Sequence, residues 1–179
     1  MAVRRIIRMG HPHLREPARQ VELNEIHTPD FKRLLEDMHD TLHDYGGIGL
    51  AAPQIDVALR LAIVEIAGGA TRYGVVEPLP LTAFINPEIT VLDEATAGHW
   101  EGCLSVPGLR GYVERPQHIR VDYIDLQGES QSLELTGFWA TVAQHEFDHL
   151  DGRLYIDRIS EPDKLMFEEE FARYHAPAD

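Results

Sequence analysis

The stretch His145-Glu146-Phe147-Asp148-His149 fits the pattern H-E-x-x-H. On a helix, residues four apart share a face with their Cβ atoms roughly 5–6 Å apart, so two imidazoles can close on one metal ion while the glutamate between them stays beside it. Glu146 is then a candidate base. The competing reading is a chance register on a surface helix. Against it stand the flanks, where Phe138, Trp139, Val142, Ala143, Phe147 and Leu150 predict a helix over 137–150 buried on both sides of the motif. Buried imidazoles need partners.

Working outward, Thr28-Pro29 is a helix start, an N-cap hydroxyl followed by proline at the first helical position. Phe31, Leu34, Leu35, Met38, Leu42 and Tyr45 then recur at helical spacing up to a stop at Gly46 or Gly47. His39 and His43 are also four apart, but they lie off that stripe without a glutamate in register and read as solvated, as do His11 and His13. The segment Gly47-Ile48-Gly49-Leu50-Ala51-Ala52-Pro53-Gln54 holds more small residues than a helix cap needs, which describes a backbone kept bare for close approach, ending in one amide side chain. Leu59–Ile66 reads as a buried strand, Gly68-Gly69-Ala70 as its turn and Val75 to Leu81 as an irregular loop. Phe84 to Leu92 reads as a strand broken at Pro87, and His118–Asp125 and Ser132–Thr136 as strands joined at Gln127-Gly128-Glu129. A short strand near Leu154-Tyr155-Ile156 and a terminal helix from Glu161 to Tyr174 complete the expectation. It is one α+β domain over 1–179: mainly antiparallel β-sheets packed around a central helix carrying the H-E-x-x-H motif.

The chain's 179 residues, 44% hydrophobic and 26% charged, suit a globular domain that buries about 70% of its unfolded surface. No apolar run approaches the roughly 20 residues of a membrane span, and the N-terminus lacks a secretory core, so the chain reads as mature and intracellular. The net charge of −14 argues against nucleic-acid specificity. The single cysteine, Cys103, cannot form an internal disulfide and is left as thiol, nucleophile or ligand.

Gly47 to Gln54, Glu101-Gly102-Cys103-Leu104-Ser105 and His145 to His149 together resemble the three signature motifs of the peptide deformylase family, G-x-G-x-A-A-x-Q, E-G-C-x-S and H-E-x-x-H, at every fixed position and in the same order. The departures are a longer 68–81 loop, Phe147 where methionine is common, and an acidic tail. The resemblance implies a cytoplasmic hydrolase that removes the formyl group from N-formylmethionyl nascent peptides, with the ribosome as a further candidate partner. It implies that Cys103, His145 and His149 bind one divalent metal with a fourth position open to water. Ferrous iron is expected in the cell, and zinc or nickel in a purified sample. A thiolate ligand lowers the net charge of such a site to about +1, so water there is acidified less than by three histidines and a base matters more. The family gives that role to Glu146, oxyanion donation to Gln54 and the Leu104 backbone N–H, peptide contact to Ile48, Gly49 and Arg110, and a methionine pocket for which Phe138 and Val142 are the candidates. Glu101 and Arg115 either pair in support of the site or are separately solvated.

Two other readings compete. A zinc endopeptidase would take a third ligand after the motif, from Asp157, Glu161 or Glu168, and would leave Cys103 and Gln54 unexplained. A non-catalytic metal module would close the site with a fourth ligand such as His99.

Overall fold

The computed structural model describes residues 2–71 and 74–176. A 3-10 turn at Pro12–Arg15 and helix α1 (Leu23–Ile26) lead into helix α2 (Pro29–Asp44). Then come β1 (Gly49–Ala51), a 3-10 turn at Ala52–Ile55, β2 (Leu61–Ile66), β3 (Gly69–Thr71) and β4 (Gly74–Val76). Two long strands follow, β5 (Leu79–Cys103) and β6 (Val106–Ile124), and β7 (Ser130–Thr136) runs directly into helix α3 (Gly137–Leu150). The 3-10 turns Tyr155–Arg158 and Pro162–Lys164, strand β8 (Leu165–Phe167) and helix α4 (Glu168–Tyr174) end the described chain.

The main sheet runs β1-β2-β5-β6-β7 with β8 added on β6, and β3 pairs with β4 in a separate ribbon. Every one of these pairings is antiparallel. The expected α+β architecture with mainly antiparallel sheets is therefore present.

Helix α2 begins as its sequence dictates, with the Thr28 hydroxyl accepting the Phe31 N–H at 3.2 Å. It ends at Gly46, whose φ of +64° is the left-handed turn that glycine adopts without a side-chain clash. Strand β2 explains how two helices share one sheet. Its odd positions Leu61 and Ile63 pack with Phe31, Met38 and Leu42 of α2, while Ala62, Val64 and Ile66 pack with Ala143, Phe147 and Leu150 of α3. A strand covered on both faces reads as a continuous apolar run, which is why Leu61-Ala62-Ile63-Val64 shows no alternation.

Several expectations need correction. Pro87 does not break its strand, because β5 slips register against β6 between Ile85 and Glu88 and the missing N–H costs no regular ladder bond. Asn86, at φ +50°, supports that bend by exchanging side-chain hydrogen bonds of 2.8 and 2.9 Å with the Val21 backbone. The turn expected at Gly68-Gly69-Ala70 instead enters β3, and the loop expected over Val75 to Leu81 holds the end of β4 and the start of β5. Near Leu154 the chain forms a 3-10 turn rather than a strand, since Asp157 accepts the Leu154 N–H at 2.8 Å and closes the backbone. The terminal helix begins at Glu168 rather than Glu161, because Leu165–Phe167 is drawn out as a strand against Leu109–Gly111 of β6. No helix among the described residues is long and apolar enough to cross a membrane.

Candidate active site

The candidate ligands arrive from two elements distant in sequence. Cys103 is the last residue of β5, and Leu104 and Ser105 form the turn that returns the chain into β6. The ladder slips between Glu101 and Cys103, a device that re-aims side chains. The Cys103 sulfur accepts the Ser105 N–H at 3.4 Å and lies 3.3 Å from His149 Nε2. One turn before His149, His145 presents its ring edge to face at 5.3 Å. One ligand atom from each of Cys103, His145 and His149 falls within 4.8 Å of the others.

Behind this triangle sits a buried charge network. Glu101 accepts from His145 Nδ1 at 2.8 Å and from Arg115 Nε and Nη2 at 2.6 and 3.0 Å. Arg115 also donates to Asp148 at 2.9 Å, and Arg158 reaches the same carboxylate. The side chains of Arg115 and Glu101 are 4% and 6% exposed, so of the two readings left open by the sequence it is the paired one that forms. Occupying Nδ1 of His145 fixes its tautomer and leaves Nε2 as the free lone pair. Sequence reasoning missed Asp148 because it fills a variable position of the motif; its signal was a second acid, after Glu146, within an otherwise largely apolar helix.

The electrostatics follow from burial and these neighbours. Burial opposes charge on His145, but the Cys103 sulfur and the Glu101 carboxylate outweigh it and hold the imidazole well above its ordinary value. Burial, aided by the charges of His145 and Arg115, drives His149 well below. Burial also opposes ionisation of Glu101, yet the hydrogen bonds from His145 and Arg115 bring it down to about 2. Glu146, desolvated by burial, is pushed up to about 7.

Glu146 occupies space that a side chain at position 49 would claim. A β-carbon on Gly49 would come within 2.5 Å of its Oε1. The bare backbone read from the sequence is thus the floor under this carboxylate. Gln54 is oriented by the Ala51 N–H, which donates to its Oε1 at 2.8 Å, so the NH2 group is what faces Ser105 Oγ at 3.3 Å and the Cys103 sulfur at 3.6 Å. A cleft of about 910 Å³ opens over Cys103, His145 and Glu146, with Ile48, Gly49, Leu104, Phe138 and Val142 also in its lining. Strand β1 is the last in its sheet, so one of its edges is unpaired within the sheet. Arg110 also lines the cleft, but its guanidinium is engaged by Glu168.

The residues fit a metal ion. Glu146 Oε2 is buried without a hydrogen-bond partner among the described residues, while the Cys103 sulfur, His149 Nε2 and His145 converge in the same region; a buried carboxylate oxygen left orphaned is rare unless something occupies the space it faces. Among the described residues no further Cys, His, Asp or Glu joins the triangle, and His99, although in the cleft, is outside it. The ligands that an endopeptidase would need are engaged elsewhere, Asp157 by Arg15, Glu161 by Lys164 and Glu168 by Arg110.

The profile of the polypeptide deformylase family matches residues 3–165. A peptide deformylase of Leptospira biflexa is 46% identical over 159 residues, covering 89% of each chain. Peptide deformylase 1 of Nitrosomonas europaea is 43% identical over 165 residues, covering 92% of each. Among solved structures, the Met-Ala-Ser-bound class I type b peptide deformylase of Acinetobacter baumannii superposes with a TM-score of 0.83 at 36% identity, covering 88% of this chain and 98% of that one. The Thermotoga maritima peptide deformylase does so with a TM-score of 0.77 at 39% identity, covering 90% and 100%. Agreement this long and this close goes beyond a shared fold, and the chain belongs to the peptide deformylase family, metal-dependent hydrolases that remove the N-formyl group from the N-terminal formylmethionine of newly synthesised proteins.

Proposed function

We propose that residues 1–179 act as one catalytic domain gathered about α3 as its central helix, and that Cys103, His145 and His149 hold the ion that the family's chemistry requires. The observation that carries this reading is the convergence of one donor atom from each of Cys103, His145 and His149 within 4.8 Å of one another, with Glu146 Oε2 buried and unpartnered among the described residues. When bound there, a divalent ion supplies Lewis acidity toward the formyl oxygen and makes a water easier to deprotonate. Glu146 takes that proton as the formyl carbon is attacked and returns it to the departing amine. Gln54 Nε2 and the Leu104 N–H donate to the developing oxyanion. The orientation of Gln54, with its oxygen already satisfied by Ala51, supports its part.

The peptide lies along the open edge of β1 beside Ile48 and Gly49 as an added strand. Its methionine side chain enters between Phe138 and Val142, and Arg110 stands at its downstream end with Glu168 moderating its charge. The Acinetobacter baumannii relative, described with Met-Ala-Ser bound, supports a ligand of that class here. Ferrous iron is the ion proposed for the cell, with zinc or nickel after purification, since N/S sites bind whichever of these supply and oxidation leave available. The proposed setting is the cytoplasm, with the ribosome as a transient partner.

Substrate choice tests the arrangement. A formyl carbon carries only hydrogen, whereas an acetyl methyl would meet the crowded floor at Gly49 and Glu146 and displace the reacting carbon. One methyl in a tight pocket is worth roughly 1–3 kcal/mol, and misplacement adds up to ~100-fold in rate. Formyl-Met peptides are expected to be cleaved at least ~10³-fold faster in kcat/KM than acetyl-Met peptides. Equal rates for the two would overturn the assigned geometry.

A further inference from the structure

The second pair of histidines four apart, His39 and His43, is exposed as its sequence suggested, yet it has a carboxylate in reach. It projects from α2 toward Glu65, the partly exposed position of the otherwise buried strand β2. His43 Nε2 lies 3.0 Å from His39 Nε2 and 2.7 Å from Glu65 Oε2, and His39 Nε2 lies 3.4 Å from the same oxygen. Three atoms able to ligate a metal thus form a closed triangle with sides of 2.7 to 3.4 Å. Donors bound tetrahedrally at ~2.0–2.1 Å sit roughly 3.3–3.4 Å from each other, so each side of the triangle is within about 0.7 Å of one face of such a site and side-chain rotation suffices to open it.

We infer that His39, His43 and Glu65 form a second metal site, one that takes a divalent transition ion of the zinc or nickel kind through two imidazoles and one carboxylate. The chemistry selects that class: two imidazoles disfavour magnesium and calcium, which prefer all-oxygen shells, and the absence of a thiolate distinguishes the site from the cysteine-containing one. The two side chains on α2 share a helix face, and Glu65 is held in place because its own N–H donates to the Ile48 carbonyl at 2.9 Å. An ion there ties the last turns of α2 to β2. The chain between those anchors includes Tyr45, Gly46, Gly47 and Ile48, which line the active-site cleft, so occupancy of the second site stiffens one wall of the first.

The test uses the enzyme already loaded with its catalytic ion, dialysed against Zn2+ alone, and in parallel Ni2+ alone, at mildly alkaline pH where free imidazole is neutral. Ions per chain are counted by elemental analysis and affinities measured calorimetrically. Wild type is expected to hold two ions per chain. His43→Ala and Glu65→Gln, both changes of partly or well exposed side chains, are each expected to weaken the second ion at least ~10-fold, no less than the loss of an outer-shell contact costs. His13→Ala, which alters the other exposed histidine and carboxylate cluster with His11 and Asp56, is expected to leave it unchanged. A Cys103→Ala background is expected to lose the first ion and keep the second, so failure of the catalytic assignment is read apart from failure here. A wild type that takes one ion overturns the proposal, as does a second ion that survives undiminished in His43→Ala and Glu65→Gln, or one that is lost in His13→Ala instead.

Discussion

Two helices of this chain carry histidines four residues apart, and the same spacing ends in opposite physical settings. On α3 the pair is buried, flanked by Phe147 and Leu150, and backed by the Glu101, Arg115 and Asp148 network. On α2 the pair stands on the outer face, with the His43 side chain 60% exposed and one partly exposed carboxylate for company. Spacing therefore brings two rings together in both places, but it is the surround that decides what they can do. The buried pair has the tautomer of His145 fixed by Glu101 and a carboxylate, Glu146, held beside it without a donor among the described residues; the exposed pair has neither.

The comparison breaks most completely at Cys103. Cys103→Ala removes the one proposed ligand supplied by the sheet, and two imidazoles on a helix without it are in the position of the α2 pair without Glu65. Metal content and deformylation are expected to fall together to background, as read by elemental analysis and formate release. Full occupancy in that variant would place the third ligand elsewhere. Glu146→Gln probes the orphaned carboxylate instead. It keeps all three donors, so the ion should stay while kcat drops 10²-fold or more, within the ~10²–10⁴-fold range of general-base assistance. Near-normal turnover would remove Glu146 as the base.

A smaller effect is expected behind the ligands. Glu101→Gln retains the shape but leaves Arg115 facing one fewer charge and weakens the hold on His145 Nδ1. Losing an outer-shell partner of this kind typically costs 10–100-fold in metal affinity, and breaking a buried ion pair costs about 3–5 kcal/mol of stability. Competition with a chelator and thermal melts of the metal-loaded protein measure the two separately. An unchanged affinity would mean that His145 needs no such anchor. The smallest effect belongs to the other pair: His43→Ala is expected to leave kcat with the catalytic ion in place within about 2-fold, because surface substitutions away from the site are usually near neutral. A tenfold loss there would show the two centres to be less separate than their settings suggest.

Much of the buried site is legible in the sequence, because its residues are locally odd. Gly49, Gln54, Cys103 and the two histidines of α3 each interrupt an otherwise ordinary segment, and three such interruptions in a fixed order leave few alternatives. What the sequence hides is long-range. Nothing near Glu65 says that it meets His43, since 22 residues and a change of element separate them. Asp148 reads as filler because its partner Arg115 lies 33 residues upstream. Strand β8 is invisible for a related reason. Leu165-Met166-Phe167 has no strand pattern of its own and becomes extended because the edge of β6 at Leu109–Gly111 is there to be paired. Pro87 misleads in the opposite direction, since a local rule about proline is overridden by a bulge that only the register reveals.

The hairpin of β5 and β6 has a further consequence, in the order in which the chain can be assembled. Its strands are adjacent in sequence and close through the two residues Leu104 and Ser105, so the end that bears Cys103 needs little loop closure to form. His149 lies 46 residues further on, and joining it to the sulfur requires β7 to be laid down and α3 to turn back over the sheet. Constraining two points that far apart removes freedom mainly from the unfolded chain, as a covalent cross-link across the same loop would. With the proposed ion in place, the candidate centre would therefore also be a topological clasp, fastened late between an element that forms locally and one that has to be brought to it.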